Sequence, residues 1–292
     1  MQAPRAFTVR DGIAAGLTRG ELRGGEWCSP AHGVRVTGSV GDARADFAAA
    51  VRAAASDDQF FSHVTAARIH GMPLPARLAG DRRIHVASPT GRSRMVRPGV
   101  VGHRLKSEVV EVDGLRVEAL ADTFVHLASL LSIDELVVVG DWLVCRDRER
   151  PLLPADLGDA VRRYEGARGL VRARRAVALV RVGAESPQET ATRLLLLRGG
   201  LPTPVLQHEV FDERGTFVGR LDIAWPSLRL AVEYEGEGHF VSHEQGERDV
   251  ARLRELERLG WTIIRVTRRD LRHGGSAILA HIASVHARLS AR

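Results

Sequence analysis

The chain has 292 residues, 44% of them hydrophobic and 27% charged, a length for two or three domains and a composition that excludes disorder, collagen and disulfide scaffolds. Its longest apolar runs, such as Leu136 to Val139 and Leu194 to Leu197, fall far short of the ~18 residues of a bilayer span, so no membrane partner is expected. A net charge of +6 and a pI near 10.4 favour an anionic partner.

That charge has a bland alternative, because Lys106 is the only lysine among 42 basic residues and a GC-rich coding bias produces such arginine enrichment by itself. Its distribution says more. Residues 1–184 carry 27 basic and 21 acidic groups, whereas residues 185–292 carry 15 of each. Met1 to Arg10 lacks the apolar core of a signal peptide, and Cys28 and Cys145 have no ligand spacing, so a reducing cytoplasm is the expected compartment.

In chain order, Phe7, Val9 and Ile13 predict a short helix ending at Gly16. Thr18-Arg19-Gly20-Glu21 has capping-box spacing and predicts a second helix that stops at Gly24-Gly25. Trp27, Cys28 and Gly33 to Val36 read as a β-ribbon. Helix, glycine turn, helix and ribbon is the order of a winged helix-turn-helix, with Arg19 and Arg23 on the reading helix as candidate nucleic-acid contacts; a small helical cap on the next domain is the alternative. The stretch that follows is mixed α/β. Helices are expected at 47–55, 62–70, 121–131, 133–145, 155–164 and 169–180, and strands at 83–87 and 99–104. His63, His70, His85, His103 and His126 are scattered through it and suggest no catalytic constellation. Arg181 to Glu185 is the natural joint before the last domain, and with the end of the ribbon it divides the chain into residues 1–40, 41–183 and 184–292.

The last region is the informative one. Ser186-Pro187-Gln188-Glu189 carries every helix-start signal, and Gly199-Gly200 closes the helix. Strands are expected at 205–210, 216–225 and 229–234, then a charged helix with Arg248 and Arg252 near one face, a strand at 261–266 and a closing amphipathic helix. A hairpin centred between Ser227 and Leu228 sets Asp222 opposite Glu233, with Glu235 on the side of Glu233 and Tyr234 turned away. Like charges across a ladder destabilise a sheet, and a divalent cation relieves them most simply. A slipped register, with Asp222 capping a turn, is the alternative. His239, after Gly236-Glu237-Gly238, is a candidate proton shuttle or an ordinary loop residue.

Arg220-Leu221-Asp222-Ile223-Ala224-Trp225-Pro226, Val232-Glu233-Tyr234-Glu235-Gly236 with His239, Arg248-Asp249, and Leu259-Gly260-Trp261 with Arg265-Val266-Thr267 together resemble the Vsr-like (very-short-patch-repair endonuclease-like) domains of the PD-(D/E)XK nucleases. The likeness covers about residues 186–289. The N-terminal part is similar to AbiEi-type winged-helix antitoxins through Gly-Leu-Thr-Arg-Gly-Glu-Leu and Gly33-Val34. The first resemblance implies a restriction-endonuclease-like mixed sheet flanked by helices and a Mg²⁺- or Mn²⁺-dependent DNA endonuclease. Asp222 and Glu233 would be metal-binding acids, Glu189 the acid from the helix, and Glu235 would stand where many members carry lysine. Glu235 or His239 would then handle protons, and Arg252 with Arg248, Arg19 and Arg23 would meet DNA. Glu189 fits a structural cap equally well. The alternative function is a non-enzymatic DNA-binding regulator or antitoxin-like protein with an inactive nuclease fold. A homodimer is compatible with either.

Overall fold

A computed structural model of the chain describes residues 6–25, 27–28, 34–37, 55–81, 83–236 and 243–291. It is mixed α/β and divides into two compact units, Met1–Leu130 with Ala160–Leu170, and Leu131–Asp159 with Val171–Arg292. No helix among the described residues is long and apolar enough to cross a membrane.

The first unit begins with β1 (Ala6–Thr8), α1 (Val9–Ala14), β2 (Trp27–Cys28) and β3 (Val34–Thr37), in an antiparallel sheet of order β1-β3-β2. Thr8 caps α1 by accepting the Asp11 N–H at 3.1 Å, and the Asp11 carboxylate takes the Thr8 N–H in return. Phe7 and Leu22 bury against Gly12, where a Cβ would stand 2.6 Å from the Phe7 ring. The helix expected from Thr18 is instead a single 3₁₀ turn, Glu21–Arg23. Its capping contact does form, with the Glu21 carboxylate accepting both the N–H and the hydroxyl of Thr18 at 2.7 Å. Gly20 inside the segment and Gly24-Gly25 beyond it leave too few residues to repay helix nucleation. The helix expected at 47–55 lies outside the described residues apart from Ala55.

A five-stranded mixed sheet follows, built from β4 (Phe60–Phe61), β5 (Ile84–Ser88), β6 (Val100–Arg104), β7 (Val109–Val112) and β8 (Leu115–Glu118) in the order β6-β5-β4-β8-β7. The pairs β5/β6 and β4/β8 are parallel. Helices α2 (His63–Ile69), α3 (Ala76–Ala79) and α4 (Leu120–Leu127) accompany it, and Phe61, Ala66, Ile84, Val86 and Val117 make its core.

The second unit contains α5 (Ile133–Val144), the start of α6 (Pro154–Arg163), most of α7 (Leu170–Leu179), α8 (Pro187–Arg198), β9 (Val205–Phe211), β10 (Phe217–Trp225), β11 (Leu230–Glu235), α9 (His243–Arg258), β12 (Thr262–Thr267) and α10 (Ser276–Ser290). The sheet order is β12-β11-β10-β9, with only β11 and β12 parallel. Leu230, Val232 and Tyr234 pack with Leu196 of α8 and Ile282 and Val285 of α10, while Ala231 packs with Leu256 of α9 and Trp261. The period of two therefore turns Glu233 toward α9.

Helix α5, which the sequence assigns to the middle region, is tied into this unit by Asp141. That carboxylate is 1% exposed and accepts from Arg193 Nη2 at 2.6 Å, Thr190 Oγ1 at 2.9 Å and the Arg181 N–H at 2.8 Å. Burial pushes its pKa up against these partners. Asp141→Ala leaves Arg193 charged and unpaired in the core, so an equilibrium urea titration is expected to show a loss of about 3–5 kcal/mol. The double change Asp141→Leu with Arg193→Met is expected to recover most of it, because the desolvated charges leave together.

Candidate functional site

Strands β10 and β11 are joined by a 3₁₀ turn, Pro226–Leu228, closed by Arg229 in the left-handed region at φ 47°. The ladder pairs Trp225 with Leu230, Ala224 with Ala231 and Ile223 with Val232. Asp222 and Glu233 are the next positions along the two strands, which is the register expected from the sequence. Pairing stops there. The Tyr234 N–H donates instead to Asp222 Oδ2 at 3.0 Å, so the aspartate side chain closes the end of the ladder.

Burial first, and then the charges of Glu189, Glu233 and Glu185, push the Asp222 pKa up to about 6 against the Tyr234 N–H. Glu233 is buried and bidentate, receiving Arg252 Nη1 at 2.9 Å and Nη2 at 3.0 Å. The arginine stem reaches it from α9 by crossing β10 at Gly219, where a Cβ would lie 3.1 Å from Arg252 Cδ. Asp222 also lies in the field of this guanidinium. Glu189 stands at the third position of α8, where its N–H donates to the capping Ser186 Oγ at 3.1 Å. Its own Oε2 accepts the Glu185 N–H at 2.9 Å and Gln207 Nε2 at 3.0 Å. Glu185 pairs with Arg220 at 2.6 Å, and burial raises its pKa. Four carboxylates thus share two guanidiniums, which leaves two negative charges uncompensated whenever all four are ionised.

Glu235, at the exposed end of β11, pairs with Arg265 at 3.2 Å. Arg248 is exposed on α9, as are Arg19 and Arg23 in the first unit. His239 lies outside the described residues. Asp222, Glu233 and Glu189 are therefore electrostatic neighbours, while Arg252, expected to face nucleic acid, is engaged with Glu233.

The first unit holds a cluster that the sequence did not reveal. His63, His85 and His103 each offer a ring nitrogen within 4.8 Å of the others; the three carboxylates at 189, 222 and 233 do not make such a set among the described residues. His85 Nδ1 and His103 Nε2 are 3.0 Å apart. The His63 and His103 rings stack at 3.9 Å, and His126 stands 5.4 Å from His63 on centroids. Fully buried Glu118 anchors the group: Oε1 meets His126 Nδ1 at 2.5 Å and accepts from Ser107 Oγ at 3.0 Å, and Oε2 accepts the His63 N–H at 3.2 Å. Burial and mutual repulsion hold His85 and His103 down to about 4 and His63 well below the usual imidazole range, so all three are neutral at pH 7. The parallel register of β5 and β6 brings two of them together, with His85 opposite Val101 and Ala87 opposite His103, so both histidines share a face.

These features define a two-unit α/β protein with a carboxylate-rich sheet end in one unit and a buried imidazole cluster in the other. No known family profile and no solved structure matches the chain. Two proteins from strains of Mycobacterium tuberculosis, Uncharacterized protein MT2308 and Uncharacterized protein Rv2248, are each 31% identical to it over 219 residues, covering 75% of this chain and 78% of theirs. The chain belongs to the family of these mycobacterial proteins.

Ionised Asp222 carries a folding cost. Its pKa rises from an ordinary 3.8 to about 6 on folding, so the unfolded chain gives up that proton first and stability falls as pH rises between about 4 and about 6. In EDTA, Asp222→Asn is therefore expected to raise the melting temperature at pH 7.5 and to leave it unchanged at pH 4. A gap of equal size at both values would contradict the charge explanation.

Proposed function

We propose that the chain is a DNA-binding protein whose C-terminal unit hydrolyses phosphodiester bonds with Mg²⁺ or Mn²⁺. The observation that carries this reading is the hairpin register, which brings Asp222 beside Glu233, with Glu189 in the field of Asp222. The donor chemistry suits a hard divalent cation, being all carboxylate oxygen, partly desolvated and with two unbalanced charges; because the three carboxylates do not each place an oxygen within 4.8 Å of the other two, they would have to draw together around it. Asp222, Glu233 and Glu189 would hold the ion. When bound, it supplies a neutralising charge for the scissile phosphate and a water of lowered pKa.

The residues of the chain contribute the rest. Asp222 is positioned by the Tyr234 N–H, so its geometry is set before any ligand arrives. Arg252 balances Glu233 at rest, and its planar fork matches a phosphate as well as a carboxylate, so entry of substrate exchanges one anion for another at the same guanidinium. Glu235, at the exposed strand end, and His239 are the groups for proton movement. The basic first unit would add phosphate contacts, with Arg19 and Arg23, just before and within the 3₁₀ turn, nearest to base readout. The cytoplasm is where such a protein would meet its DNA.

A second reading has one observation in its favour. The two-pronged Arg252–Glu233 pair completes the site internally, as an inactive nuclease fold in a DNA-binding regulator or antitoxin-like protein would require. Plasmid incubated with purified protein in Mg²⁺, Mn²⁺ or EDTA separates the two. The nuclease reading expects metal-dependent nicking that Asp222→Ala and Glu233→Ala both abolish, with DNA affinity in a gel shift nearly unchanged. Equal cleavage by parent and variants overturns it, and DNA binding in EDTA without cleavage in either metal supports the regulator.

A further inference from the structure

We propose that His63, His85 and His103 form a binding site for a borderline transition-metal ion of the Zn²⁺ and Co²⁺ class, in the first unit and independent of the carboxylates of the second. The three ligands come from three elements, the start of α2, the start of β5 and the end of β6, and one nitrogen of each lies within 4.8 Å of the other two. The His85 to His103 separation of 3.0 Å is close to the edge of a tetrahedron with metal–nitrogen bonds of about 2.0–2.1 Å, which is roughly 3.3 Å. His63 completes the set from the stacked side, its ring lying 3.9 Å from that of His103 on centroids.

Three further observations point the same way. His63 adopts φ 48°, a left-handed conformation that a β-carbon-bearing residue accepts only when its surroundings over-determine it. The buried Glu118 carboxylate helps to hold it there by accepting the His63 N–H, while its other oxygen meets His126, whose ring stands 5.4 Å from that of His63 on centroids. Beyond the His85 to His103 contact and the Ser62 hydroxyl on His63 Nδ1, the rings of the three histidines make no hydrogen bond among the described residues, although His63 and His85 are 6% and 4% exposed. Packing half-satisfied imidazoles together costs free energy, and a shared ion uses the lone pairs that the protein leaves free. Three nitrogens and no thiolate or carboxylate select Zn²⁺, Co²⁺ or Ni²⁺ over Mg²⁺ and Ca²⁺. Three protein ligands leave a fourth position for water or an anionic oxygen, and His103, on the edge strand and only half-buried, marks the side of approach.

The test is a Co²⁺ titration of the full chain, stripped of metal and held in excess Mg²⁺, followed by visible absorption. One Co²⁺ per chain is expected, with the ligand-field bands of a nitrogen-rich four- or five-coordinate ion and displacement by Zn²⁺. His85→Gln and His103→Gln are each expected to weaken binding by at least about tenfold, and Asp222→Asn is expected to leave it unchanged. Half-exposed His103 tolerates glutamine best, so His103→Gln decides the matter if His85→Gln fails to fold by circular dichroism. Absence of saturable binding at micromolar Co²⁺, binding unaltered in folded His103→Gln, or binding lost in Asp222→Asn would each overturn the proposal. Failure of the nuclease assay would leave it standing, because the two sites share no residue.

Discussion

Where β10 and β11 stop pairing, the Tyr234 N–H turns from the ladder to the Asp222 carboxylate, and the charges of the C-terminal unit are arranged around that bond. An aspartate that closes a ladder is held between two strands and partly shut off from water, so its ionisation becomes sensitive to every neighbour. Glu233 is the next residue along the partner strand, and Glu189 and Glu185 approach from the start of α8. Such a cluster is tolerated because Arg220 and Arg252 each take one member out of the balance. What remains unbalanced is a charge of the size that one divalent ion carries.

Legibility from sequence follows the range of the interactions. The β10–β11 hairpin was readable because its strands are strongly apolar beside the turn and separated by one compact turn, so the register followed from the centre of that turn. The α8 start was readable for the same reason, since Ser186, Pro187 and Glu189 act within one helical turn. Local reasoning overreached at Thr18, where the capping contact forms but the glycines cut the helix to a 3₁₀ turn. It also passed over Asp113-Gly114, both in the left-handed region, which turn β7 into β8 as a tight hairpin.

The imidazole cluster was beyond this kind of reading. Its anchor, Glu118, meets the His63 backbone across 55 positions and reaches His126 only eight residues on, from strand end to helix. Each histidine looks isolated in sequence, and only the parallel alignment of β5 with β6 and the placement of α2 beside them bring the rings together. A period-of-two count on β5 shows that His85 shares a face with Ala87 but says nothing about which residue of β6 lies alongside. Pairing of parallel strands, set by a long connection instead of a turn, is the information that was missing.

The two clusters answer the same physical problem in opposite ways. At the sheet end of the second unit, like charges are brought together and kept ionisable, so stability falls as pH rises through about 4 to about 6, and a cation bound there would restore it. In the first unit the groups are brought together as neutral rings, and the cost lies in unmade hydrogen bonds. A carboxylate cluster of the first kind suits an ion that retains water and meets phosphate oxygens, because hard oxygen donors leave such an ion exchangeable. A rigid set of nitrogens of the second kind suits an ion that gives up most of its water and stays. The chemistry of the donors therefore separates the two sites more sharply than their position does. Mg²⁺ would be a poor competitor at the nitrogens, whereas Zn²⁺ or Co²⁺ would compete at the carboxylates, so the proposed histidine site is distinguished by what it binds when Mg²⁺ is in excess.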